Sequence, residues 1–96
     1  MPIGIKFENL GQPSHIRNVV VHDCTGNGML LNEISGSALL DNVWVNSCND
    51  DHIVVGDAVS ACLGVSLRHV TSEFMATGKA GVRLRGLAGN VNTGSI

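Results

Sequence analysis

The sequence predicts an all-β chain that folds as a parallel β-helix of about four rungs, and three observations lead to this prediction. The composition favours strands and turns, the apolar pattern repeats along the chain with a constant spacing, and each repeat contains short segments of alternating side chains. Val, Ile and Thr make up 22 of the 96 residues, whereas Lys, Glu and Gln together make up six. Because β-branched residues suit pleated strands, little helix is expected.

The first half of each repeat carries four apolar positions with fixed spacing. Ile16, Val19, Val21 and Cys24 recur at a shift of 24 as Leu40, Val43, Val45 and Cys48. A third copy follows at a shift of 27, as Leu67, Val70, Ser72 and Met75. A repeat of this length cannot bury its apolar side chains by itself, so successive copies are expected to stack strand on strand.

The second half of each repeat is a short alternating segment bounded by glycine or polar turn residues. Ile5 and Phe7 correspond to Met29 and Leu31, then to Ile53 and Val55, and finally to Val82 and Leu84, which come two residues later than a shift of 27 predicts. This alternation favours strands. The first half also fits the leucine-rich-repeat consensus, which would require a helix or helical turn in the second half. A leucine-rich repeat, acting as an interaction module, is therefore the alternative fold.

Strand alternation assigns the side chains to faces. The repeating positions are expected to point inward, and four large apolar side chains between them are expected to point outward: Val20, Leu30, Trp44 and Val54. An exposed apolar stripe of this kind is typical of an interface. Two polar ladders accompany it, the stacked Asn18/Asn42/His69 and the charge-alternating Arg17/Asp41/Arg68.

Two segments carry a resemblance to a known superfamily: residues 18–31, NVVVHDCTGNGMLL, and residues 42–48, NVWVNSC. They resemble rungs of the pectate-lyase-like superfamily of right-handed parallel β-helices, which includes pectin-degrading enzymes and bacteriophage tailspikes. The resemblance covers residues 3 to about 86, so residues 1–86 are expected to form rungs and 87–96 a Gly/Asn-rich tail or incomplete rung.

The resemblance implies a structural segment of a phage tailspike-like protein that contributes to recognition of a bacterial surface polysaccharide. It also implies a homotrimer, with the remainder of a longer β-helix as the other expected partner, and a location in the virion tail or outside the cell. The alternative is a polysaccharide-degrading hydrolase or lyase. Trp44 is the only Trp, and it is a candidate sugar-stacking residue as well as a candidate contact to a partner chain.

One candidate catalytic site follows from the same resemblance. Asp50 and Asp51 resemble the carboxylate pair of the polygalacturonase group, and Arg83 and Arg85 loosely resemble its basic element, which would hold an acidic sugar. Two departures weaken the match: Asn27 stands one repeat before Asp51, and no Gly-His-Gly lies between the two elements. The structural alternative is an Asp-rich turn that caps backbone donors.

A second acidic pair is Glu33 and Asp57, which lie one repeat apart. Stacking would place their backbones about 4.8 Å apart, near the roughly 5 Å carboxyl separation of retaining glycosidases. A shared calcium ion or simple solvation are the other interpretations.

Several function classes are not expected. The net charge is −2, which disfavours nucleic-acid or anionic membrane binding, and the first residues lack the features of a signal peptide. No histidine or cysteine has metal-ligand spacing, so neither a metal nor a cofactor is expected. Cys24 and Cys48 are expected in the core as small hydrophobes, and Cys62, in an inserted loop, is the more reactive candidate thiol.

Overall fold

The structure, a computed structural model, describes residues 4–8, 11, 13–34, 38–56, 65–85 and 94–95. Its strands are β1 (Ile5–Glu8), β2 (Ser14–His22), β3 (Met29–Asn32), β4 (Ala38–Asn46), β5 (Ile53–Val55), β6 (Val65–Glu73), β7 (Val82–Leu84) and β8 (Gly94–Ser95). The described residues contain no helix, which confirms the all-β prediction and places strands where a leucine-rich repeat would need helical segments. No helix among them is long and apolar enough to span a membrane.

Consecutive strands alternate between two four-stranded parallel sheets, β1-β3-β5-β7 and β2-β4-β6-β8. The register follows the sequence repeat. Ile5 pairs with Met29 and Val21 with Val45, at the predicted shift of 24. Val43 pairs with Val70 at a shift of 27, and Ile53 pairs with Val82 at a shift of 29. Each apolar position therefore stacks on an equivalent position of the next unit, because any other register would turn apolar side chains outward.

The apolar core is formed by inward side chains of both sheets. The first sheet contributes Met29, Leu31, Ile53 and Val55, and the second contributes Leu40, Val43 and Val45; all are at most 1% exposed. Full burial of one such side chain contributes about 1.5–3 kcal/mol to folding. The predicted inward ladders are thus confirmed for the middle of the stack.

The end of the stack departs from the sequence prediction. Met75 and Leu84 were expected in the core but are 46% and 57% exposed. Leu84 lies on β7, the last strand in its sheet order, so no further strand of that sheet stacks on it among the described residues. Val54 departs in the opposite direction: it was expected to be exposed, but it is buried, with 2% of its surface exposed. It lies on an interior strand between Leu30 and Arg83, which are its register partners.

Residues with left-handed backbone recur at equivalent positions of the three units. Asn18, Asn42 and His69 have φ of 57°, 56° and 51°, and they bend β2, β4 and β6 at the same point. Asn tolerates this conformation better than most residues. The Asn42 Nδ2 donates to Asn18 Oδ1 at 2.8 Å, so the predicted amide ladder is formed. A second set, Asp23, Ser47 and Phe74, has φ of 57°, 56° and 53° directly after each long strand. The left-handed residues therefore fall within and directly after each of the three long strands.

Candidate functional site

The outer face of the second sheet carries two of the four apolar residues predicted to point outward, Val20 and Trp44, whereas on the first sheet Leu30 is half-buried and Val54 is buried. Val20 is 59% exposed and Trp44 is 43% exposed, and the register aligns them with Thr71 in one row across β2, β4 and β6. We call this row of Val20, Trp44 and Thr71 the Trp44 row. It lies after the left-handed bend, on the straight part of three parallel strands, which holds its side chains in a fixed spacing.

A charged row lies on the other side of the bend from the Trp44 row. Arg17, Asp41 and Arg68 are in register, as the sequence predicts. Arg68 Nη2 donates to Asp41 Oδ2 at 2.9 Å, and His69 Nδ1 lies 3.7 Å from Asp41 Oδ1. The hydrogen bond from Arg68 holds the pKa of the Asp41 carboxyl below its usual value. Within this row Arg68 and Asp41 form an ion pair, whereas Arg17 Nη2 lies 3.1 Å from His15 Nδ1. An exposed pair of this kind contributes little to stability.

The structure brings three of the predicted catalytic and substrate-binding residues together. Asp51 is 4% exposed and accepts hydrogen bonds from Arg83 Nε at 2.5 Å and from the Ala80 backbone N–H at 2.8 Å. Asp50 Oδ1 accepts from the Asp51 backbone N–H at 2.8 Å and lies 3.4 Å from Lys79 Nζ. The turn that holds both aspartates is thereby tied to the turn that precedes β7.

The chemistry of this cluster is that of paired ions. The hydrogen bond from Arg83 is the main cause that lowers the pKa of Asp51, so this carboxyl stays ionised. A general acid needs a raised pKa, and an acid–base pair needs two carboxyls whose pKa values are split. Arg83 is engaged by Asp51 rather than open toward a substrate. The arrangement favours a structural role, and the catalytic assignment of Asp50 and Asp51 stays a prediction.

Of the other predicted acidic and basic site residues, the structure describes Glu33 and Arg85. Glu33 is exposed, with φ of 53°, and its expected partner Asp57 lies outside the described residues. Arg85 is exposed, and its backbone N–H donates to the Val55 carbonyl at 2.9 Å. Within the described part of the chain, no group of three or more His, Cys, Asp or Glu side chains is arranged to hold a metal ion.

A buried histidine, which the sequence reasoning did not single out, lies inside the third unit. His52 is fully buried, and its Nδ1 lies 2.7 Å from Ser72 Oγ. Among the described residues, its Nε2 is a buried side-chain atom without a hydrogen-bond partner. Burial lowers the pKa of His52, although the backbone of Val45 and Cys48 and the charge of Asp51 favour the protonated form. The imidazole is therefore neutral at pH 7.

The sequence does contain a signal for this histidine. His52 falls on the repeat position that Gly4 and Gly28 occupy in the first two units. A Cβ placed on Gly28 would collide with Val45 Cγ1 and lie 2.7 Å from the His52 carbonyl oxygen. In the third unit both residues of this glycine–valine contact are different: His52 stands at the position of Gly28, and Ser72 stands at the position of Val45. The smaller, polar serine makes room for the imidazole and supplies its hydrogen bond.

The two described cysteines lie at equivalent points of the first two units. Cys24 and Cys48 are 2% and 1% exposed and are free thiols, as the sequence predicts for core residues. Cys62 lies outside the described residues.

One cavity of about 240 Å³ lies at the open edge of the first unit. It is lined by Gly4, Ile5, Val20, Val21, His22 and Cys24. Sites for drug-sized ligands usually measure about 300–1,000 Å³, so this cavity is small by comparison. The Trp44 row is therefore the more extended candidate for contact with a large ligand.

Comparison with protein families, with curated proteins and with solved structures gives no match.

Proposed function

We propose that the chain is a structural segment of a phage tailspike-like protein that contributes to recognition of a bacterial surface polysaccharide. The observation that carries this proposal is the Trp44 row, with Trp44 43% exposed on a parallel sheet. An indole ring exposed at a fixed position offers an apolar surface on which a sugar ring stacks.

The fold that this role requires is a right-handed parallel β-helix of about four rungs, with the two sheets as two of its faces. Strands that alternate between two parallel sheets and pair at shifts of 24 to 29 support it. The bend shared by Asn18, Asn42 and His69 supplies a corner at the same point of each rung. The hand of the helix comes from the resemblance to the pectate-lyase-like superfamily.

A binding role is favoured over a degradative one by the state of the acidic residues. Asp51 is buried and bonded to Arg83, and its pKa is lowered. A carboxylate that is ionised and bonded in this way is not poised as a general acid. The Trp44 row, in contrast, is exposed, and two of the three charges in the neighbouring row, Arg68 and Asp41, are paired with each other.

The polysaccharide contact is testable because Trp44 is the only tryptophan in the chain. Titration with purified bacterial surface polysaccharides should change the Trp fluorescence saturably if the indole stacks on a sugar. By calorimetry, Trp44→Ala should weaken the same binding by more than about tenfold, as expected for a central aromatic contact. Thr71→Ala, in the same row, is the matched control and should have a small effect.

The competing occupant of the Trp44 row is another copy of the chain in a homotrimer. Light scattering of the wild type and of Trp44→Ser distinguishes the two. The subunit contact is supported, and the polysaccharide contact refuted, if two results are found together: the wild-type trimer dissociates in Trp44→Ser, and no polysaccharide changes the Trp fluorescence. A monomer without a polysaccharide response would refute both.

A further inference from the structure

We propose that Cys24 and Cys48 form an intramolecular disulfide that covalently joins the first two units. The proposal rests on the position of the two thiols and is independent of any contact made by the Trp44 row.

The two cysteines are in-register neighbours. They follow the paired residues His22 and Asn46 by the same number of positions, and the Asn49 backbone N–H donates to the Cys24 carbonyl at 2.9 Å. That bond is the one expected when Cys24 and Cys48 face each other in a parallel ladder. Facing residues on neighbouring strands lie about 4.8 Å apart. Disulfides join residues whose Cα atoms are about 4.4–6.8 Å apart and whose Cβ atoms are about 3.5–4.5 Å apart, so the Cα spacing is suitable and formation of the bond draws the two Cβ atoms slightly together.

The side chains also point the same way. The Cys24 thiol donates to the His22 carbonyl at 3.8 Å and the Cys48 thiol to the Asn46 carbonyl at 3.5 Å. A Cβ built on Gly4 would lie 3.0 Å from Cys24 Sγ, and one on Gly28 would lie 3.4 Å from Cys48 Sγ. Both thiols thus face the same inner column, one above the other. Burial raises the pKa of Cys48, and the Cys24 side chain beside it, as a hydrogen-bond partner, raises it further.

The reaction needs an oxidant, and a low-molecular-weight disulfide such as glutathione disulfide is sufficient. One thiolate attacks glutathione disulfide, which forms a mixed disulfide and releases one glutathione. The second thiolate then attacks the protein sulfur of the mixed disulfide, which forms the Cys24–Cys48 bond and releases the second glutathione. Two protein thiols lose two protons and two electrons, and one glutathione disulfide becomes two glutathiones. Because both thiols are buried, we expect the bond to form during folding or when the first unit opens.

The test uses the Cys62→Ser chain, in which Cys24 and Cys48 are the only thiols. The equilibrium constant for their disulfide is measured in glutathione buffer, once under native conditions and once in denaturant. A fold that accommodates the bond should make this constant at least about tenfold larger under native conditions. Cleavage after Glu8, Glu33 and Glu73 should leave the fragments 9–33 and 34–73, which carry Cys24 and Cys48, joined until reduction.

Three results would overturn the proposal: an equal or smaller constant under native conditions, separate glutathione adducts on the two cysteines, or loss of strand circular dichroism when the bond forms. If Cys62→Ser does not fold, the wild-type chain is refolded in the same buffer and its disulfides are located by mass spectrometry. A wild-type bond that joins any pair other than Cys24 and Cys48 would equally refute it.

Discussion

The contact between His52 and Ser72 predicts a strong energetic coupling between these two positions. His52→Gly removes a fully buried imidazole and leaves a cavity, which should lower the free energy of unfolding by about 2–4 kcal/mol. Ser72→Val removes the partner of His52 Nδ1, which costs about 1–3 kcal/mol, and it also crowds the ring. Each single change should therefore destabilise the chain markedly.

The double variant His52→Gly with Ser72→Val should recover most of this loss. It recreates the contact of Gly28 with Val45, in which the valine fills the space that a Cβ would need. A residual cost of about 0.5–1 kcal/mol remains, because glycine loses more backbone entropy on folding. Since the two single losses sum to about 3–7 kcal/mol, the interaction energy between the two changes should be at least about 2 kcal/mol in favour of the double variant.

Urea unfolding at pH 7.5, followed by Trp44 fluorescence and by circular dichroism, measures all four chains of this cycle. Where a single variant is already unfolded, recovery of the folded state in the double variant is the equivalent result. Additive losses would show that the imidazole does not occupy the space of the glycine–valine contact, and they would refute the reasoning.

Two further predictions concern ionisation inside the stack. The pKa of His52 is lowered below its ordinary value of 6.5, so as the pH falls the unfolded chain takes up this proton before the folded chain does. The free energy of unfolding should therefore fall as the pH drops below about 6.5. Urea unfolding measured over a range of pH should show this fall in the wild type and not in the His52→Gly, Ser72→Val chain. Arg83→Gln should destabilise the chain more than Asp51→Asn at pH 7, by about 1–3 kcal/mol, because it leaves the buried carboxylate unpaired, whereas Asp51→Asn leaves a guanidinium that is 42% exposed. Arg83 lowers the pKa of Asp51 from 3.8, so this ion pair stabilises the wild-type chain above that pH. The stability that Arg83→Gln loses relative to wild type should therefore shrink as the pH falls and vanish below the lowered pKa, where Asp51 is protonated in both chains. An equal effect of Arg83→Gln and Asp51→Asn at pH 7 would contradict the burial argument.

The register and the faces of the strands could be predicted from the sequence because each rests on a repeated local pattern. The constant shift between units aligns apolar side chains with apolar side chains, and alternation then assigns Trp44 and Val20 to the outside. Position within the stack is not contained in that pattern. Met75, which follows β6, and Leu84, on the last strand of the first sheet, repeat core positions but are exposed, whereas Val54 repeats an outer position but is buried on an interior strand.

The candidate site was predictable in its members and not in their contacts. The sequence singles out Asp51 and Arg83, but whether an aspartate and an arginine face a substrate or each other depends on side-chain geometry, and here they form an ion pair. His52 and Ser72 depart from the repeat together, and each departure taken singly resembles ordinary variation between repeats. Their contact becomes visible when the glycine and valine positions are compared as a pair.

The parallel stacking of units has a consequence for how the chain folds. Each ladder joins residues 24 to 29 positions apart in a chain of 96, so the pairing separation is a quarter or more of the chain length. Proteins whose contacts are this distant fold slowly, in milliseconds to seconds, because a long loop must close before the first pairing is rewarded. Once two units have docked, each further unit adds to a finished edge and closes a loop of its own length only. The rate of folding should therefore be limited by the first pairing of two units. Until the last unit docks, the edge of the growing sheet stays unpaired, and there a folding chain is most exposed to pairing with a neighbouring molecule.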